Sequence, residues 1–195
     1  MENTEGQSPF YIVANNLALD FVNTVIDDLN VTTLVAWAVA VGLLDAEEAG
    51  ATVANWRGKN VAAVKRSRDR LREIAVGLVA SRDLADGDIA WLNKILRGRS
   101  GYSELVRTAG GFAKQSRIEL GEPSDILVPV IESFVALVAF GTLEHIRKCE
   151  RPECVIYFHD ITKNHKRRWC SMAVCGNRAK VAKFYERQRS KTKSG

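Results

Sequence analysis

Cys149-Glu150-Arg151-Pro152-Glu153-Cys154, and after fourteen residues Trp169-Cys170-Ser171-Met172-Ala173-Val174-Cys175-Gly176-Asn177-Arg178, carry all four cysteines of this 195-residue chain. Both pairs have the spacing Cys-x4-Cys, and none of the first 148 residues is a cysteine. Two close pairs joined by a hairpin-length spacer are what a tetrahedral four-thiolate site requires. Each pair supplies one edge of the tetrahedron, and the spacer lets the chain return. Two disulfides are the rival reading, and they need an oxidising compartment. The start, Met1-Glu2-Asn3-Thr4-Glu5-Gly6-Gln7, lacks the basic opening and apolar stretch of a secretory signal, so a reducing cytoplasm is expected. Iron–sulfur and rubredoxin-like sites usually have tighter spacings and lack the basic surroundings seen here. One structural zinc on Cys149, Cys154, Cys170 and Cys175 is therefore expected. Four thiolates leave no coordination position open for water or substrate, which argues against a catalytic metal. With no nucleophile–base pair and no Gly-rich phosphate loop, the chain is not expected to be an enzyme.

Charge divides the chain at the same place. Residues 145–195 hold 14 Lys and Arg against 4 Asp and Glu, a net +10, whereas residues 1–144 hold 14 against 19, a net −5. An acidic body carrying a basic module suggests a polyanionic partner for the module. The apolar fraction of 46% is enough for a core. The longest apolar stretch, 126–140, is interrupted by Glu132; it reads as a buried helix, and no membrane partner is expected.

The expected architecture is mainly α: a helical domain over residues 1–144 with a small β-hairpin, then a treble-clef-like finger of hairpin plus helix over 145–195. Residues 1–9 read as a loose start. Apolar periodicity predicts helices over 17–29, capped by Asn15 or Asn16, and over 34–44, capped by Thr32 or Thr33. A third opens at Asp45 and holds Trp56 near its end. A long amphipathic helix over 59–81 buries Val61, Val64, Leu71, Ile74, Leu78 and Val79, and a shorter one starts at Asp86 or Asp88. Residues 102–120 read as a β-hairpin turning at Ala109-Gly110-Gly111. A long apolar helix over 125–148 is predicted to run directly into Cys149, attaching the metal module rigidly.

In the module, Val155-Ile156-Tyr157-Phe158 reads as a strand and Lys166-Arg167-Arg168-Trp169 as its returning partner. Asn177 reads as an N-cap for a helix over 178–189, and the last residues are expected to fray. Gly176 permits a tight backbone beside the metal. Lys163, Lys166, Arg167 and Arg168 from the hairpin and Arg178, Lys180, Lys183, Arg187 and Lys191 from the helix could neutralise phosphates, with one or two arginines reading guanine edges. Asn177, at the helix N-terminus, could accept a phosphate. Arg178, beside Cys175, is the strongest structural candidate among these. His159 and His165 read as hairpin-surface residues. Asp20 and Asn23, polar and one turn apart on an apolar helix, could face a small-molecule pocket or could bond neighbouring backbone; the second reading is favoured.

Cys149-Glu150-Arg151-Pro152-Glu153-Cys154, Phe158-His159-Asp160, Arg167-Arg168-Trp169-Cys170-Ser171-Met172 and Cys175-Gly176-Asn177-Arg178-Ala179-Lys180 together resemble the CGNR zinc finger. Leu17-Ala18-Leu19-Asp20-Phe21-Val22-Asn23-Thr24 resembles the start of the ABATE domain, which precedes that finger in many bacterial proteins. The resemblance implies a bacterial, stress-induced transcription regulator with a ligand-sensing helical domain and a DNA-binding finger, and it supports the four cysteines as zinc ligands. His165 stands where many members have a small residue, so the hairpin tip departs from the family pattern. A zinc finger of this shape can also dock a protein partner or structured RNA. Specific recognition of DNA by one small finger would favour a homodimer.

Overall fold

Residue 23 is where the helical body takes hold of the metal module. In the computed structural model, which describes residues 10–24, 29–81, 83–98, 101–141 and 143–192, the first helix, α1, is short, Leu17–Val22. Asn16 caps it by accepting from the Leu19 N–H, while Asn15 takes the left-handed conformation just before it. Asn23 ends the helix instead of continuing it, and residues 25–28, where the predicted helix ran on, lie outside the described residues, as do 1–9 and 193–195.

Four further helices complete the sides of the body. α2 spans Val31–Ala40 and is capped one turn earlier than expected: Asn30 accepts from the Thr33 N–H, and the Thr33 hydroxyl bonds back to Asn30. α3 is only Ala49–Asn55, since residues 45–48 form a turn; Trp56 follows it, fully buried, with its indole N–H donating to the Leu120 carbonyl. α4, Ala62–Ser81, buries Val64, Leu71, Ile74 and Leu78 as its periodicity predicts, and Ala75 with them, whereas Val61, just before the helix, and Val79 are half-buried. α5 spans Asp86–Leu96. Strands β1, Gly101–Thr108, and β2, Gly111–Ile118, pair antiparallel as a hairpin whose Leu105 and Phe112 are exposed.

The apolar run 123–140 is a 3₁₀ turn, Pro123–Ile126, followed by α6, Leu127–Phe140. By length and composition alone this segment could cross a membrane. Here Leu127, Val130, Ile131, Phe134 and Leu137 are buried, and α1 and α5 pack against the helix. The helix does not reach Cys149. It stops at Gly141, where a Cβ would run into the Leu137 carbonyl, and a short 3₁₀ turn then leads into β3, Ile146–Lys148.

The module's hairpin also differs from expectation. β3 pairs antiparallel with β4, Tyr157–His159, in the register Ile146↔His159 and Lys148↔Tyr157. The first cysteine pair therefore lies in the turn of this hairpin. Residues 166–169 form no strand. Their backbone is instead drawn in by polar contacts, with the Glu150 N–H donating to the Arg168 carbonyl at 3.0 Å and the Arg167 N–H to Asp160 at 2.8 Å.

β4 is anchored to the body along its other edge. Tyr157 receives Asn23 as a strand would: its carbonyl accepts from Asn23 Nδ2 at 2.7 Å and its N–H donates to Asn23 Oδ1 at 3.0 Å. Two residues on, the His159 N–H donates to the Ala14 carbonyl at 2.8 Å, and the Asn15 amide donates to the His159 carbonyl. Arg72 of α4 ties the Val22 and Val155 carbonyls together, at 2.9 and 2.8 Å. A sheet edge that would otherwise be open is thus satisfied by the body.

Because Asn23 is 4% exposed, truncating it leaves two Tyr157 backbone groups dry and unpaired. Asn23→Ala is expected to destabilise the chain by about 2–4 kcal/mol, read by chemical denaturation. An unchanged midpoint would show that the junction does not depend on this pair.

Candidate metal centre and nucleic-acid face

Cys149 follows β3 and Cys154 precedes β4, so the hairpin sets the first pair. The second pair is set by a single π-helical turn, Met172–Gly176, whose start is capped by Ser171 accepting from the Val174 N–H at 3.3 Å. A Cβ at Gly176 would sit 2.6 Å from Met172 Sδ and 3.1 Å from Trp169 Cδ1, so the exposed Met172 side chain would have to shift to admit one. The φ of Gly176 is not in the left-handed region.

All four cysteines are buried, and their Sγ atoms lie within 4.8 Å of one another. Cys154 and Cys170 are 3.7 Å apart, Cys170 and Cys175 3.5 Å, and Cys154 and Cys175 3.8 Å. A tetrahedron with zinc–sulfur bonds of about 2.3 Å has edges of about 3.8 Å. The donor set and its spacing therefore fit one zinc, held structurally by Cys149, Cys154, Cys170 and Cys175. The Cys170 N–H donates to Cys149 Sγ at 3.4 Å, the kind of backbone donor that supports a metal-bound thiolate.

The thiols differ in their readiness to ionise. Burial raises Cys149, but the N–H groups of Cys170 and Arg151 outweigh it and bring it below the ordinary thiol value. Burial and the neighbouring thiols push Cys170 far up, and burial pushes Cys175 up as well. A cation is what allows all four to be thiolates together.

Asp160, fully buried, organises the loop between β4 and the second pair. Its carboxylate accepts from the Thr162 N–H at 3.0 Å, the Thr162 hydroxyl at 2.6 Å and the Arg167 N–H at 2.8 Å. Burial alone would raise this carboxyl, yet these bonds hold it below the usual carboxylate range. The three histidines meet beside it. The His145 and His165 rings stack at 3.5 Å, His159 lies 6.5 Å from His145, and His165 Nδ1 is 3.0 Å from the Asp160 carbonyl. Burial and His145 lower the His159 pKa. They are half-buried junction residues and not a hairpin surface. His165 adopts φ +47°, in the left-handed region, where histidine is one of the enriched non-glycine residues.

Arg167 is a correction to the predicted phosphate-binding set. Its guanidinium donates to the carbonyls of Val13 at 2.7 Å, Trp169 at 3.0 Å and Cys170, and stacks 4.3 Å from the Phe158 ring. Its Nε and Nη2 groups are turned inward, where they buttress the metal loop against the body. Asn177 is a second correction. α7, Asn177–Thr192, continues directly from the π-helical turn, so no helix N-terminus opens there. The Asn177 N–H is already bonded within that turn, and its side chain donates to the Ala173 carbonyl at 3.1 Å.

The remaining predicted contacts are exposed: Lys163, Lys166, Arg168, Arg178, Lys180, Lys183 and Arg187. Arg168 pairs with Glu150 at 2.6 Å while staying mostly in solvent. Arg178, the strongest structural candidate among the predicted contacts, is exposed on the first turn of α7. The side chain of Lys191 lies outside the described residues.

The tentative pocket pair does not face a pocket as a pair. Asp20 Oδ1 accepts from the Val13 and Ala14 N–H groups, each at 2.9 Å. Burial raises its carboxyl despite these two bonds and the nearby Arg167. Asn23 is occupied by Tyr157 and also lines a cavity of about 310 Å³, together with Phe10, Val13, Arg151, Ile156 and Val174; Asp20 does not line it. Sequence reasoning missed this cavity because its walls come from the body and from both cysteine pairs.

The CGNR zinc finger family matches residues 145–188. The ABATE family, described as "Putative stress-induced transcription regulator", matches residues 15–141. The chain belongs to the ABATE family and ends in a CGNR zinc finger. No curated protein matches it.

Zinc analysis of the purified chain is expected to give one equivalent, lost in Cys170→Ser. Because Cys170 and Cys175 are raised, protons compete strongly for them, so zinc affinity should fall as pH falls. Affinity independent of pH in competition with a chromogenic chelator would contradict a thiolate site.

Proposed function

We propose that this member of the ABATE family is a DNA-binding transcription regulator, gripping duplex DNA with α7 while its helical body senses a small-molecule effector. The observation that carries the reading is α7 itself. It leaves the metal turn as a 16-residue helix with no buried residue among those described, and Lys180, Lys183 and Arg187 share one of its faces. A helix with its side chains is about 10–12 Å wide, and the major groove of B-DNA is about 12 Å wide. Lys163, Lys166 and Arg168 add positive charge from the preceding loop. In this reading the zinc holds the turn from which α7 springs. The chain acts by binding in the cytoplasm, without catalysing a reaction, and a homodimer would double the small contact area of one finger.

The cavity between body and finger is where an effector would act most directly. It touches both cysteine pairs and also Arg178 at the root of α7, so occupancy there would bear on the helix's orientation.

A protein or RNA partner is the second reading, favoured by one observation: Val181, Phe184 and Tyr185 on α7 are exposed, as in helices that dock into grooves. Competition separates the two. The zinc-loaded chain should bind duplex DNA with an affinity that falls steeply with salt, and should bind it better than structured RNA. Lys180→Ala and Lys183→Ala should each reduce the salt slope by about one. Arg167→Ala should instead lower stability and leave that slope nearly intact. Absence of duplex binding at low salt, read by fluorescence anisotropy, would sink the proposal.

A further inference from the structure

α7 carries two surfaces whose arrangement says more than its charge. At about 100° per residue, Val181, Phe184 and Tyr185 share an arc of about 100°. They are 54%, 57% and 62% exposed, and the two aromatic rings meet edge to face, 5.8 Å apart. Lys180, Lys183 and Arg187 follow on one side of this arc, and Arg178 and Arg189 follow on the other. The result is a largely apolar ridge between two basic flanks, with Gln188 one turn beyond Phe184 on the same arc.

A helix lying in the major groove meets phosphates along both flanks and base edges along its ridge. The flanks of α7 have the charge that phosphates require. On the ridge, Gln188 carries an amide and Tyr185 a hydroxyl, whereas Val181 and Phe184 offer neither donor nor acceptor and present only apolar surface. The apolar group that a base pair shows in the major groove is the thymine 5-methyl. We infer that the Val181–Phe184–Tyr185 ridge of α7 reads thymine 5-methyl groups, leaving phosphate binding to its basic flanks.

This rests on duplex binding by α7 and deepens it. It also implies that 5-methylcytosine, which places a methyl at the same ring position, is read as thymine is.

The test uses the full zinc-loaded chain and duplexes selected from a random pool by their binding to it. Each selected duplex is remade with deoxyuridine for thymidine, which removes the methyl and keeps the base pairing. Affinity is expected to fall roughly four-fold per contacted methyl, the value of one buried methyl-sized group. Phe184→Ala and Tyr185→Ala should bring the thymidine-to-deoxyuridine ratio towards one while keeping the salt slope. Lys183→Ala should weaken both duplexes alike and keep the ratio. Equal affinity of the unaltered chain for both duplexes overturns the inference and leaves DNA binding standing, as does a ratio that survives both aromatic substitutions. Failure to bind either duplex overturns the inference and the DNA-binding reading together.

Discussion

Four buried thiolates within 4.8 Å of one another repel unless a cation lies among them. Everything distinctive about the C-terminal module follows from that constraint. The segment from 145 onwards is too small to hold itself together by apolar burial alone, and its regular structure is one three-residue strand pair and one helix. The metal joins the turn of that strand pair to the turn that launches α7. Four-fold thiolate coordination also closes the site, so its contribution is to shape.

The finger is held to the body by polar contacts made at short range. Asn23 behaves as a strand partner for Tyr157, Arg167 gathers the Val13, Trp169 and Cys170 carbonyls, and Arg72 bridges Val22 and Val155. Asp20 orders the Val13–Ala14 backbone that receives Arg167 and His159. Buried polar pairs of this kind are costly when half satisfied, so they favour one docking geometry over its neighbours. The cavity beside Asn23 lies inside this junction, and Arg178 links it to α7.

Much of this was legible in the residues because it depends on local chemistry. The periodicity of Val64, Leu71, Ile74 and Leu78 is a property of one helix, and the hairpin at Ala109-Gly110 announces itself through its turn residues. The cysteine spacing is likewise a matter of chain reach. What misled was context. Residues 141–148 extend an apolar pattern that suits a helix, yet Gly141 breaks it because the chain turns back against Leu137. Lys166-Arg167-Arg168-Trp169 alternates less than a strand should, and Asp160 draws its backbone away from any ladder.

By itself the sequence determined that there is a four-thiolate zinc site, that it closes an otherwise helical chain, and that the positive charge gathers around it. Those are matters of residue identity and spacing, and no fold changes them. Only the tertiary structure decided which bases are available to a partner. Arg167 and Lys183 are alike as isolated cations, but one has its Nε and Nη2 groups on three carbonyls and the other stands in solvent. The difference is set by what the rest of the chain brings within about 3 Å, and spacing along the chain carries no record of that.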